Sequence, residues 1–229
     1  MIPKVIHYIW LGKKAKPKSF NIAYQSWLSN APGYKIQEWN EDNIKGFALP
    51  HIFLLLLKNK KFAFASDVLR FFILNKHGGV YMDVDQVLTA GIDDLLNNSM
   101  FIARYHQVND YYGFGILGCV PGHAFTKDMI DFYGSFNKNG FVVVNKIGSE
   151  LINRNRYEMH ILSQDYFYPI AELCNVTENT RGYHLANTSW IPWYKKLLYK
   201  IPNYLKLKSI TLKFLPNSLK KKMFKIEYL

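Results

Sequence analysis

The stretch Lys76-His77-Gly78-Gly79-Val80-Tyr81-Met82-Asp83-Val84-Asp85 decides how the rest of the chain is read. A glycine pair leads into Val80 to Val84, whose β-branched and aromatic residues predict a short strand, and two carboxylates close it. A strand end opening into a loop permits a bend, so both carboxylates can serve one site. Such a pair suits a hard divalent cation, held by oxygen with positions left for a ligand's phosphates. Magnesium or manganese bridging a diphosphate is the sharp reading; turn residues at a hairpin end are the plain one.

The residues upstream bear on that choice. Val68, Leu69, Phe72 and Ile73 fall on one helical face, with Ser66 or Asp67 available to cap the helix start. Asp67 and Arg70, three apart, share a face of that helix. Their neighbours are almost all apolar, which desolvates the pair and favours a structural or ligand-binding role over a surface one.

Ala65-Ser66-Asp67-x-x-Arg70 followed by Gly78-Gly79-Val80-Tyr81-x-Asp83-x-Asp85 resembles the sugar-binding region of family 32 glycosyltransferases. That family includes bacterial capsule-type transferases and the yeast initiating mannosyltransferase, and the glucosylating domain of large clostridial toxins carries a similar run. Ile2-Pro3-Lys4-Val5-Ile6-His7-Tyr8-Ile9-Trp10 resembles the family's opening strand. Trp27 with Glu38-Trp39-Asn40 resembles its second unit, and His184 to Ser189-Trp190 its closing segment. Matches in one order over residues 1–190 are more specific than any single motif.

The resemblance implies an α/β fold: a single GT-A-like nucleotide-sugar-binding domain over 1–190 with a mixed, mostly parallel sheet. It implies a Mn2+ or Mg2+ ion, a nucleotide-sugar donor of the UDP-sugar type, and retention at the anomeric carbon. Carried over by residue, Ile9 and Trp10 receive the donor base, Tyr81 belongs to the donor site, and Asp67 and Arg70 grip sugar hydroxyls. Asp85 contacts the metal directly, and Asp83 acts through water or on the ribose and sugar. His184, Asn187 and Ser189 stand near the cation, and Trp190 covers the diphosphate. An imidazole suits manganese better than magnesium. The toxins carry a carboxylate in the segment around His184, so the third ligand stays open. For Trp10 a core or rim aromatic is an equal alternative, and for His184 a hydrogen-bonded core histidine is the plain reading.

At 229 residues the chain is long enough for one large domain with a substantial core. An apolar fraction of 49% excludes a disordered chain. Cys119 and Cys174 are too few for a disulfide framework, which fits a reducing cytoplasm. Met1-Ile2-Pro3-Lys4 does not open a signal peptide, and the apolar run Ile52 to Leu57 is far below the roughly 20 residues of a spanning helix.

Along the chain, Lys4 to Leu11 predicts a buried strand, Phe20 to Leu28 a helix, and Tyr34 to Trp39 a second strand. The order strand, helix, strand, helix, helix, strand argues for a parallel-containing sheet with helices on its faces. Gln86 to Leu88 reads as extended, Gly91 to Leu96 as a turn and short helix, and Met100 to Tyr105 as a strand. Tyr111 to Gly118 sets three glycines among aromatics, suited to lining a ligand closely. His123 to Phe136 reads as a helix, Asn153 to Arg156 as a polar loop, and Gln164 to Pro169 as an aromatic strand or loop.

Residues 191–229 differ in composition. Ten lysines stand there against Glu227 alone, so the segment carries +9 of the formal +12. Lysines interleaved with Trp193, Leu197, Ile201, Leu205 and Phe214 describe basic amphipathic helical segments suited to an anionic membrane surface. A solvated helical hairpin or a partner-binding segment are the alternatives. Nucleic acid fits least, because no arginine is present to clamp phosphates or read bases.

The function expected is metal-dependent transfer of a hexosyl group from a nucleotide-activated sugar to an acceptor hydroxyl. The expected acceptor is a glycan or lipid-linked oligosaccharide of a bacterial capsule, O-antigen or envelope polymer, met at the inner face of the cell membrane by a peripheral cytoplasmic protein. The competing classes are a membrane-associated nucleotidyltransferase and a non-catalytic nucleotide-sugar-binding protein. The former would want a glycine-rich phosphate loop that Gly12-Lys13-Lys14 barely offers.

Overall fold

The computed structural model describes residues 1–106, 111–136, 143–169 and 176–185. In chain order they form β1 (Val5–Ile9), α1 (Lys18–Asn30), β2 (Lys35–Trp39), α2 (His51–Lys58), α3 (Phe62–His77), β3 (Gly79–Met82) and β4 (Gln86–Leu88). Then come β5 (Met100–His106), β6 (Tyr111–Cys119), α4 (Ala124–Gly134), α5 (Val144–Arg154), β7 (His160–Leu162) and β8 (Gly182–His184). Short 3-10 turns occupy Asp93–Asn97 and Gln164–Tyr166.

Six strands make one sheet in the order β2-β1-β3-β6-β5-β7, and β4 and β8 form a separate pair. The pairings β1 with β2, β1 with β3, and β5 with β7 are parallel, while β6 runs antiparallel to both its neighbours. The mixed, mostly parallel α/β architecture read from the sequence is the one observed. On one sheet face α2 to α5 bury Phe53, Phe71, Phe125 and Met129. On the other, α1 and the Asp93–Asn97 turn bury Trp27, Val87, Ile92 and Leu96. A sheet covered on both faces needs strands that are apolar throughout, which is why Val5 to Ile9 does not alternate.

Helix α1 buries Phe20, Ala23 and Trp27, one stripe at helical spacing. The Trp27 indole N–H donates to the Gln86 carbonyl at 2.7 Å, tying the helix to the strand that follows the two aspartates.

The entry to β3 is fixed by backbone constraints. Gly78, at φ +62°, ends α3 with its N–H on the Leu74 carbonyl, and Gly79 follows at φ +92°. A Cβ on Gly79 would stand 2.8 Å from the Val5 carbonyl oxygen, so β3 approaches β1 here only as glycine. Inside the same junction His7 donates from Nε2 to the Gly78 carbonyl at 3.0 Å and accepts at Nδ1 from the Trp39 indole at 3.0 Å. Burial pushes the His7 imidazole down to about 4, so it stays neutral and clamps β1, β2 and the α3 end together.

Several boundaries differ from expectation. Helix α3 starts a turn earlier than Ser66 or Asp67: Lys61 precedes its first residue, and the Ser66 hydroxyl bonds back to the Phe62 carbonyl. Strand β3 stops at Met82, not Val84, because the Asp83 carbonyl accepts the Gln86 N–H at 2.9 Å and turns the chain. Tyr111–Cys119 is a long central strand. Helix α5 and strand β7 were not anticipated, and the polar loop read from Asn153 begins inside the last turn of α5. Among the described residues no helix is long and apolar enough to cross a membrane.

Candidate metal and donor-sugar site

The site is built where β3 runs out against an irregular part of β6. Ile102 pairs with Leu117 and Ala103 with Gly113, leaving residues 114–116 without partners on the β5 side, while Ile116 still pairs with Met82 of β3. Two freed carbonyls are used at once. That of Gly115 accepts the Asp83 N–H at 2.7 Å, and that of Phe114 accepts Arg70 Nη1.

The β4–β8 pair supplies the third side. His184 stands opposite Gln86, and the Leu185 N–H donates to the Asp85 carbonyl at 2.9 Å. This places His184 Nε2 at 3.1 Å from Asp85 Oδ1 and 3.6 Å from Asp83 Oδ2. One ligand atom from each of Asp83, Asp85 and His184 lies within 4.8 Å of the others, the one such cluster among the described residues. Two hard carboxylates and one imidazole suit Mn2+ and, less well, Mg2+. Burial disfavours charge on His184, but its contacts with Asp83 and Asp85 outweigh that and raise it to about 10. Positive charge is thus favoured at this spot, as a cation site requires.

Behind the metal-facing side, Arg70 is buried and joins two carboxylates. Its Nη2 contacts Asp67 Oδ1 and lies 3.6 Å from Asp83 Oδ1, and its Nε reaches the Ser66 carbonyl at 3.4 Å. The guanidinium lies 4.4 Å from the centre of the Tyr81 ring, whose hydroxyl donates to Asp83 Oδ1 at 2.7 Å. Burial works against ionised Asp83, yet Arg70, His184 and Tyr81 hold it below the usual carboxylate range. Burial pushes Asp67 up to about 7 against the pull of Arg70, with Asp83 adding to the rise. One cation shared by two acids leaves the outer one, Asp83, ionised toward the site.

Of the residues named from sequence, Asp67, Arg70, Tyr81, Asp83, Asp85 and His184 are brought together. Arg70, desolvated as its apolar neighbours led one to expect, puts its N–H groups on Ser66, Phe114, Asp67 and Asp83 and holds the aspartates in place. Ile9 is buried at the end of β1. Trp10 follows half-buried, with its indole N–H on the Lys14 carbonyl at 2.6 Å and its backbone N–H on Trp39. Asn187, Ser189 and Trp190 lie outside the described residues, as does the segment 191–229. Sequence reasoning missed the Phe114 and Gly115 carbonyls. The available signal was Gly113 and Gly115, two apart on one strand, which empty a single face.

The sequence comparisons support one class for this chain, a glycosyltransferase. Residues 17–102 match the family described as the glycosyltransferase sugar-binding region containing the DXD motif. An uncharacterized glycosyltransferase of Acanthamoeba polyphaga mimivirus is 25% identical over 215 residues, 84% of this chain and 84% of that protein. A mannosyl phosphorylinositol ceramide synthase of Saccharomyces cerevisiae is 28% identical over 62% of this chain, and an inositol phosphoceramide mannosyltransferase of Schizosaccharomyces pombe 28% over 57%. The chain spans 37% and 38% of those fungal proteins' lengths. Among solved structures, the PaToxG glycosyltransferase superposes with a TM-score of 0.55 at 17% identity, over 67% of this chain and 69% of that one, and shares the fold.

Proposed function

We propose that this glycosyltransferase is metal-dependent and moves a hexosyl group from a nucleotide-diphosphate sugar, with a UDP-sugar as the first donor to test. The observation that carries the reading is the convergence of Asp83, Asp85 and His184 at the end of β3. Asp85 and His184, with Asp83, hold the divalent cation, and Mn2+ fits the imidazole. When bound, the cation supplies Lewis-acid stabilisation to the departing diphosphate. Asp83 also orients the ribose and sugar, and Asp67 and Arg70 keep the carboxylates at a fixed angle, which sets the donor's position. Ile9 and Trp10 bound the base at the end of β1, and the family resemblance assigns Asn187 and Ser189 to the cation and Trp190 to the diphosphate. Transfer proceeds with retention, the outcome implied by the family resemblance.

The acceptor proposed is a hydroxyl on a lipid-borne headgroup or glycan. Two observations support it: the fungal relatives are named for mannosylating inositol phosphoceramide, and residues 191–229 carry ten lysines with a single glutamate. In this reading residues 1–190 form the transferase domain, and the basic segment rests on an anionic membrane at its cytoplasmic face. A bacterial envelope polymer is one case of this acceptor class.

The test is a panel of nucleotide sugars incubated with MnCl2 and assayed for nucleoside diphosphate. Release with one donor, abolished by chelator, supports the reading. Pyrophosphate release would assign a nucleotidyltransferase, and binding without turnover a non-catalytic protein.

A further inference from the structure

Helix α2 is apolar from Ile52 to Leu57, yet the core uses only part of it. Ile52, Phe53 and Leu56 are buried, whereas Leu54 is 53% exposed and its neighbour Leu55 37%. Two consecutive leucines therefore face outward on one side of a short helix. Ile22 and Leu28, exposed on α1, stand six residues apart and so lie on different sides of that helix. Charge sets the α2 face apart as well. Lys58, Lys60 and Lys61 are exposed directly after the leucines, and from Ile44 to Ser66 the chain holds four lysines and no aspartate or glutamate. Leucine tips bordered by lysines suit an anionic lipid surface, where the apolar ends enter the headgroup boundary and the ammonium groups meet the headgroups. A second copy of this chain, or its own segment 191–229 at +9, would bring like charge to the same face.

The face also lies beside the site. Strands β1 and β3 run parallel, so Ile9 and Met82 end at one edge of the sheet, the edge where Asp83 stands. A Cβ on Gly12, just past β1, would lie 2.4 Å from the Phe62 ring, so α3 begins at that edge too. Only Asn59, Lys60 and Lys61 separate α2 from α3. Along the chain the lysines thus stand between the outward leucines and the edge that carries the site.

We propose that the Leu54 and Leu55 face of α2, with Lys58, Lys60 and Lys61, docks on an anionic lipid bilayer and turns the site's edge toward the headgroups that carry the acceptor. The inference rests on the membrane reading above and adds to the basic segment a second contact, inside the transferase domain. Helix α2 lies in the interface, since its eight residues are far below the roughly 20 of a span. Two contacts on one chain bind more tightly than either alone.

The full chain is sedimented with phosphatidylcholine vesicles that contain phosphatidylserine and with phosphatidylcholine vesicles alone, and the melting temperature of each variant is recorded. Wild type is expected to bind the anionic vesicles far better; equal binding to both overturns the proposal. Leu54→Gln/Leu55→Gln is expected to weaken anionic binding roughly 10-fold with its melting temperature unchanged, and Lys58→Glu/Lys60→Glu/Lys61→Glu on the order of 100-fold. Ile22→Gln/Leu28→Gln, the same kind of change on α1, is expected to bind as wild type. Wild-type affinity in either α2 variant overturns the proposal, and so does an equal loss in the α1 variant. Weakening by Lys220→Glu/Lys221→Glu/Lys222→Glu beside wild-type affinity in the α2 variants leaves the membrane reading standing and removes this inference alone. A wild-type chain that does not sediment with anionic vesicles removes both.

Discussion

His184 reaches Asp85 across the β8–β4 pair, Nε2 to Oδ1 at 3.1 Å, with Asp83 Oδ2 at 3.6 Å on the other side. An imidazole from near the end of the described domain thereby joins two carboxylates a hundred residues earlier.

Cation binding must release a proton from that contact. The metal-free His184 is raised to about 10 by Asp83 and Asp85, so at neutral pH it is charged and must deprotonate to become a ligand. Apparent Mn2+ affinity is expected to climb as pH rises toward that value, with close to one proton released per cation. Calorimetry in buffers of different ionisation enthalpy measures the proton count. Metal-free stability moves the other way: the folded value exceeds the unfolded 6.5, so the His184 contribution is complete below 6.5 and lost as pH rises through about 10. His184→Gln should flatten that decline.

Arg70 should matter first for folding. Its buried guanidinium answers Asp67, Asp83 and the Phe114 carbonyl, and Arg70→Ala strands all three. Losing one partner of a buried ion pair costs about 3–5 kcal/mol. Urea denaturation should show a loss of that order, and Asp85→Asn, which takes one of two carboxylates from charged His184, a smaller one.

His7 predicts an acid limb. Its folded value of about 4 lies below the unfolded 6.5, so the unfolded chain takes up the proton first. Stability is complete above 6.5 and declines as pH falls toward 4. His7→Gln, which keeps a donor for the Gly78 carbonyl, should show a shallower decline in melting temperature over that window.

Reversing Lys220, Lys221 and Lys222 to glutamate tests the membrane reading. Each lysine near an anionic surface contributes about 1 kcal/mol, so binding to phosphatidylserine vesicles should fall at least on the order of 100-fold in a sedimentation assay. Unchanged vesicle binding would remove the membrane from the account.

The parts of this fold that were legible in sequence are those whose pattern is local. The apolar run of β1, the Phe20-Ala23-Trp27 stripe of α1 and the glycine pair before β3 announce themselves, since burial and backbone geometry dictate their residue types. Strand β6 was harder: Gly113, Gly115 and Gly118 argue against a strand by propensity, and only tertiary contact with Tyr168, Asp83 and Phe101 explains them. Helix α5 hides because Val144, Asn145 and Gly148 are poor helix formers, and β7 is three residues long. At the site, Asp83, Asp85 and Arg70 were visible from type and spacing. The Phe114 carbonyl that Arg70 meets was not, because it depends on an irregularity of the β5–β6 ladder that no single-strand pattern encodes.

Nucleoside diphosphate release from the responding donor, measured with MnCl2 for wild type and Asp85→Asn at matched melting temperatures, tests the central claim most directly. The account predicts turnover in wild type and its loss in the variant at every Mn2+ concentration that saturates wild type. Near-normal turnover by Asp85→Asn would contradict the assignment of Asp83, Asp85 and His184 as the seat of the cation.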